Sequence, residues 1–292
     1  METVFKGIFR RVPDWCPDCS QVSWLTMKCI LLLISAACVV VAEPPNVQQI
    51  VERSCTAMNG DWKAIPQYSW IERDVESKHG HARTEKTFRV LMLEGSTYNE
   101  LIAINGQPLS RDLKAREEKK RATEIQKRNH ESPAEHNRRV AKFQKERHDD
   151  HELMQQMTKA FDFTMVGEDV LHGHKVWVLN AAPNPAYVPA NVETKVLLGM
   201  AGRLWVEQEH YHWVKVEAEV TKPVSLYGVL AKVKPGTRFQ LEQAPVAPGV
   251  WLPSHFSTDV SASALGFFDE SSTDDESYRD YRPMSELAQL VH

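Results

Sequence analysis

The chain has 292 residues, a quarter of them charged, and a formal net charge of −4 with histidine neutral. That length suffices for one large domain or two small ones with a buried core, and the slight acidity argues against a dedicated nucleic-acid binder. Four of the five cysteines (Cys16, Cys19, Cys29 and Cys38) lie in the first 42 residues, so the rest of the chain, with Cys55 alone, forms no internal disulfide.

Residues 27–45, MKCILLLISAACVVVAEPP, read as an export signal in an unusual place. Lys28 supplies the positive end, 29–41 is an uncharged apolar run, and Val40-Val41-Ala42 offers small residues before Glu43. The run is about 13 residues, short of the roughly 20 that a membrane-spanning helix needs. Residues 1–26, with Pro13, Trp15, Trp24 and Cys16-Pro17-Asp18-Cys19, do not resemble the start of a signal. The reading is therefore a mis-assigned start before Met27, a signal at 27–42, and an exported working protein at 43–292. Two other readings compete for the same residues: a lipoprotein box at Ser35-Ala36-Ala37-Cys38 with anchoring at Cys38, and an uncleaved anchor. The Cys16–Cys19 pair has the spacing of a redox or zinc half-site but no second pair to complete it. Without residues 1–42, 31 basic residues stand against 36 acidic ones.

After the signal, Val47, Ile50, Val51, Ser54 and Met58 recur at helical spacing, which predicts an amphipathic helix over 46–59 ended by Asn59-Gly60. Aromatic and β-branched runs at 68–78, 83–93 and 97–104 predict a meander, with turns at 79–81 and 94–96 and an end at Asn105-Gly106. Residues 109–159 are different: 14 basic and 10 acidic residues, few β-branched ones, and a break at Pro133. Ser110, and Ser132 with Glu135, occupy capping positions, so helices are expected at about 110–129 and 133–159. The first is polar all round. The second gains an apolar stripe only near its end, at Leu153, Met154, Met157, Ala160 and Phe161. Both a solvated hairpin and a binding arm fit this composition.

Strand patterns then return at 161–171, 175–181, 193–209, 212–220, 224–233, 237–243, 250–265 and briefly near 278–281. In 212–220 the alternation sets Val214, Val216, Ala218 and Val220 against Lys215, Glu217 and Glu219. Such half-polar strands belong to an antiparallel sheet, and about ten of them are expected to curl into a barrel or part-barrel.

The order of signal, amphipathic helix, meander, charged helical excursion and long antiparallel run resembles LolA/LolB-like proteins. More narrowly, the chain looks like uncharacterised bacterial outer-membrane lipoprotein-sorting relatives. The stretches that carry this are Val166-Gly167-Glu168, Val176-Trp177-Val178-Leu179 with Pro183 and Tyr187, Gly202-Arg203-Leu204-Trp205-Val206, Trp213-Val214-Lys215, 239–243, Val250-Trp251-Leu252-Pro253 and Asp280-Tyr281-Arg282. The resemblance covers roughly 46–290. It implies a mainly β, α+β domain at 43–292: a curved antiparallel sheet forming an incomplete β-barrel, with an N-terminal helix and the 109–159 insertion. It also implies a periplasmic carrier that shields acyl chains in a hydrophobic cavity, with a lipid or acylated protein as partner and an envelope protein as a further one. The insertion departs from the compact carriers, and no functional residue of the family transfers to a single position.

On that reading the cavity candidates are the apolar strand positions Ile71, Val90, Met92, Val178, Leu204, Val214, Val216, Phe239 and Leu241, with Leu153, Met154 and Met157 as lid candidates. Adaptable methionine side chains suit varied apolar ligands. The aromatic residues Trp70, Phe88, Trp177, Trp205, Trp213 and Trp251 fit either cavity walls or plain core. His210 and His212, two apart on an expected strand, and His148 and His151, at i, i+3 on a helix, form metal-like pairs without a third ligand. No nucleophile elbow, phosphate loop or dinucleotide fingerprint is present, Asp274-Asp275-Glu276 falls in an expected Ser-rich loop, and no catalytic residue, metal or cofactor is expected. The competing function is a periplasmic interaction or sensor module that docks through 109–159.

Overall fold

The computed structural model describes residues 46–78, 83–226, 231–264 and 268–287. The export segment, Cys38 and the turn at 79–81 lie outside the described residues.

Helix α1 spans Val47–Ala64 and is capped by Asn46, whose Oδ1 accepts the Gln49 N–H at 2.8 Å. It runs past Asn59 and Gly60, five residues beyond the expected end, because its buried stripe continues through Asp61 and Ala64; the chain leaves it in a 3₁₀ turn at Ile65–Gln67 that contains Pro66. The meander follows as β1 (Tyr68–Lys78), β2 (Thr84–Leu93) and β3 (Ser96–Ile104). Both residues of each tight turn, Glu94-Gly95 and Asn105-Gly106, take positive φ, the geometry that matches strand twist in two-residue hairpins. Asn105-Gly106 therefore does not end the sheet but reverses into a short β4, Gln107–Pro108.

Helices α2 (Arg111–His130) and α3 (Pro133–Ala160) form where the caps place them, with the Ser132–Glu135 capping box complete. The hairpin is tied down. Buried Arg128 donates to the carbonyls of Leu93, Ser96 and Thr97, and Arg139 donates to Ser96 Oγ and the Glu94 carbonyl, so both helices are pinned to the β2–β3 turn. At its other end α3 packs on α1.

Strands β5 (Phe161–Leu171) and β6 (His174–Pro183) form the next hairpin. The expected strand at 193–209 starts late. Residues Glu193–Gly199 form a 3₁₀ turn instead, because Asn191 Oδ1 accepts the Thr194 N–H and Leu197 buries against α3 and β6. Strands β7 (Met200–Glu207), β8 (Trp213–Val220), β9 (Val224–Ser225), β10 (Ala231–Val233), β11 (Arg238–Ala247), β12 (Val250–Ala264) and β13 (Phe268–Pro283) complete the sheet, followed by the one-turn α4, Met284–Leu287. The expected loop at 274–276 is the middle of β13, paired to both β1 and β12. Its acidic composition hides the strand, which its two neighbours enforce.

The described strands make one antiparallel sheet in the order β4-β3-β2-β1-β13-β12-β11-β8-β7-β6-β5, with β9 and β10 attached beside β12. It is open: its edges β4 and β5 do not pair with each other, so it is not closed into a barrel. Strands β7 and β8 approach closely at Gly202, where an added Cβ would lie 2.0 Å from the Glu217 carbonyl oxygen. Gly202→Ala is expected to cost about 1–3 kcal/mol, the range for overpacking. A urea midpoint unchanged from the parent would show that the two strands simply move apart.

Candidate functional site

One face of β6, β7, β8 and β11 is apolar and covered by helices. Trp177, Leu179, Leu204, Val206, Val216 and Leu241 bury against Ile50, Val51 and Met58 of α1, with Met154 and Met157 of α3 beside them. Two buried polar ties set α1 on the sheet. Trp213 Nε1 donates to Ser54 Oγ at 3.1 Å, and the Asp61 carboxylate accepts from the Trp251 backbone N–H at 2.8 Å and from His212 Nδ1 at 2.7 Å. The second half of α3 is held by Leu153, Met154, Met157 and Ala160 on the apolar face, by the Tyr187 hydroxyl donating to Gln156, and at its edge by Arg147 to the Trp62 carbonyl, His151 to Asn59 Oδ1 at 2.6 Å, and His151 stacked on Trp62.

The structure gathers part of the expected cavity set. Leu204, Val216, Phe239 and Leu241 meet Met154 and Met157 under α1 and α3, and Leu153 packs with Phe161, Leu197 and Met200 next to them. Val90 and Met92 share that face by register but lie at the β2 end of the sheet. Ile71, Val178 and Val214 point to the other face. For Val214 the cause is a bulge: Val206 pairs with Trp213 and Trp205 with Lys215, so Val214 is the extra residue and joins Val176, Val178 and Trp251 across the sheet from Val216. The gap left beside Met157, Phe163, Leu204 and Val216 measures about 20 Å³, room for about one water. The helix-covered face is closed.

The large concavity lies on the opposite face. It measures about 1010 Å³ and is lined from β1 across to β6, with Arg203, Glu217, Glu219, Arg238, Asp259 and Asp275 among its walls. A flat sheet encloses no such volume, so this trough records the curl of the sheet. Its charges are partly paired: Arg238 to Glu219 at 3.4 Å, Arg73 to Asp275 at 3.8 Å, and His255 to Asp275 at 3.0 Å. It is a polar, two-signed surface.

A third feature carries unusual electrostatics. Cross-strand pairing of Glu72 with Tyr278 and of Asp74 with Glu276 puts three carboxyls on one face of the β1–β13 join. Burial first, then the charges of Asp74 and Glu276, lifts Glu72 to about 7 against the Trp70 indole N–H that donates to it at 2.9 Å. Burial also raises Asp74 and Glu276, and Tyr278 donates its hydroxyl to Glu276.

His210 and His212 stand in different surroundings, with their ring centroids 6.3 Å apart. His210 sits in an exposed turn, while His212, in the loop before β8, is buried on Asp61 and stacked on Trp251. Glu207, Glu209 and His210 bring donor atoms within 4.8 Å of one another, but both Glu207 oxygens already accept backbone N–H groups, of Glu209 and His210, at 2.6 Å. That arrangement is a closed turn. Asp61 was not singled out in the sequence, although Ser54, Met58 and Asp61 follow helical spacing on the buried stripe.

No protein-family model matches this sequence, and no curated protein matches it. Among solved structures the chain is similar to a LolA superfamily protein from Nitrosomonas europaea, at 12% identity and TM-score 0.30, over 82% of this chain and 94% of that one. It is also similar to a putative outer membrane lipoprotein-sorting protein domain from Vibrio parahaemolyticus, at 12% identity and TM-score 0.32, over 80% and 94%, and to the MucA/MucB complex of Pseudomonas aeruginosa, at 10% identity and TM-score 0.24, over 79% and 98%. Likeness at these scores carries no assignment of activity.

Proposed function

We propose that the protein is a non-catalytic binder of an apolar chain, the acyl chain of a lipid or an acylated protein, taken up between the helix-covered face and the second half of α3. The observation that carries this is the methionine seam: Met154 and Met157, adaptable half-buried side chains of α3, pack on the apolar face with Leu204, Val216 and Leu241, and a small gap on that face lies beside Met157. Lifting that part of α3 exposes a continuous apolar surface, and each methylene buried there gains about 0.8 kcal/mol. The seam is closed in this structure, so uptake requires the helix to move. The polar trough offers an acyl chain no such gain. The proposed address is the periplasm, on the export-signal pattern at 27–42; among the described residues no helix is long and apolar enough to cross a membrane.

The test is native mass spectrometry of detergent-free protein together with titration of a fluorescent palmitate analogue. Met157→Trp, which fills the remaining gap, is expected to weaken binding at least about tenfold, or 1.4 kcal/mol, with Met154→Gln/Met157→Gln as a second variant of ordinary packing volume. An apo mass unchanged by lipid, or binding indifferent to both variants in folded protein, rules the seam out. A second reading, docking of an envelope protein through 109–159, is favoured by Arg128 and Arg139, which fix the α2–α3 hairpin while most of its residues stay exposed. Replacing 110–132 by a turn would then abolish partner capture and leave lipid titration unchanged.

A further inference from the structure

The two edges of the sheet are unequal. One is β3, on which the two-residue β4, containing Pro108, pairs only with Ala103 and Ile104, and beside which α2 lies, with Arg128 taking the Ser96 and Thr97 carbonyls and Arg121 reaching Glu100. The other is β5, eleven residues long, whose only strand partner is β6. A sheet edge of that length presents a row of main-chain donors and acceptors to any extended chain of the right chemistry.

The side chains of β5 are as unusual as its length. Three of the seven large hydrophobic residues exposed among the described residues lie on it: Met165, Val166 and Val170, at 40%, 56% and 63% exposure. They fall beyond Phe163, which packs against the α1 core. The charged residues of the strand are Asp162, Glu168 and Asp169, all exposed, with no lysine or arginine among its eleven positions. A bulge between Met165 and Gly167 turns Val166 outward. The Val170 N–H is taken by the adjacent Asp169 carboxylate at 2.7 Å, a local contact that an incoming carbonyl could replace.

The geometry points to β5, over residues 164–170, as a strand-addition site for an extended peptide that alternates apolar and basic residues. Main-chain pairing supplies the attachment, Met165 and Val170 on one face of the strand offer apolar contact to partner side chains, and Asp169 on the opposite face selects lysine or arginine at the positions between. Cross-strand opposite charges favour this partner, and like charges oppose others. The acids of the strand disfavour a second copy of this chain, which would bring three more carboxylates to the join. This site is separate from the methionine seam and stands whether or not the seam takes lipid.

The probe is a capped peptide, Lys-Val-Lys-Val-Thr-Val-Lys, with a twin carrying glutamate for every lysine. Both are titrated against the exported chain by fluorescence anisotropy at low salt, and amide hydrogen exchange is followed with and without peptide. The lysine peptide is expected to bind at least tenfold more tightly than its twin, to weaken as salt screens the charges, and to slow exchange within 163–171. Glu168→Lys/Asp169→Lys, two exposed changes, is expected to invert the preference. Binding of neither peptide, equal binding of both, protection centred elsewhere, or a preference that survives the charge reversal in folded protein would each overturn the assignment.

Discussion

Replacing Asp61 by alanine is expected to lower the unfolding free energy by about 3–5 kcal/mol, the range seen when one member of a buried charged or hydrogen-bonded set is removed. Asp61 is 2% exposed and its two oxygens serve different elements, one the Trp251 N–H of β12 and the other His212 in the loop before β8. A carboxylate can only accept, so the pair requires hydrogen on His212 Nδ1. The alanine variant strands two buried donors, one of them on a ring stacked on Trp251 at 5.4 Å. Asp61→Asn keeps an acceptor for Trp251 and is expected to lose much less. Urea unfolding of both variants at pH 7 reads the difference. A loss below about 1 kcal/mol for alanine would mean that α1 is seated by its apolar stripe alone, and that the Ser54 and Asp61 ties are incidental.

That tie marks the limit of what the sequence shows. Capping residues and the Glu94-Gly95 turn placed the helical hairpin and the meander within a residue or two, and the stripe of α1 placed its start, because each is a local preference written in adjacent side chains. Three features are not local. The bulge at Val214 leaves the valine alternation of 214–220 looking unbroken while it sends the first valine to the other face. The strand at 268–283 is acidic and Ser-rich, with little strand preference of its own, and forms because β1 and β12 pair with it on both sides. Alternation tells which residues share a face but not which face the sheet curls toward. The shared apolar face of Leu204, Val216 and Leu241 is therefore legible, whereas the polar trough on the other side is not.

The protein is expected to be more stable at pH 5 than at pH 8, by about 2–3 kcal/mol, through Glu72 alone. Burial among like charges raises its folded pKa from 4.5 to about 7. Between those values the folded chain holds a proton that the unfolded chain has released, so stability falls as pH rises through the window and the full penalty is present above about 7. Asp74 and Glu276, raised for the same reason, act in the same direction. The groups that face Glu72 explain why relief is small: Asp74 and Glu276 repel its charge, Lys86 favours the charge of Asp74, and the Trp70 indole is the favourable donor to Glu72 among the described residues. Glu72→Gln keeps an acceptor for that indole and removes the titrating group. Urea unfolding at pH 5, 6, 7 and 8 is then expected to show the decline in the parent and a flatter profile in the variant, with the two converging at the acid end. Parallel profiles would mean that the carboxyl is solvated and titrates normally. A flattened one would identify Glu72 at the β1–β13 join, where the N-terminal meander meets the rest of the sheet, as the source of the stability lost when the medium turns alkaline.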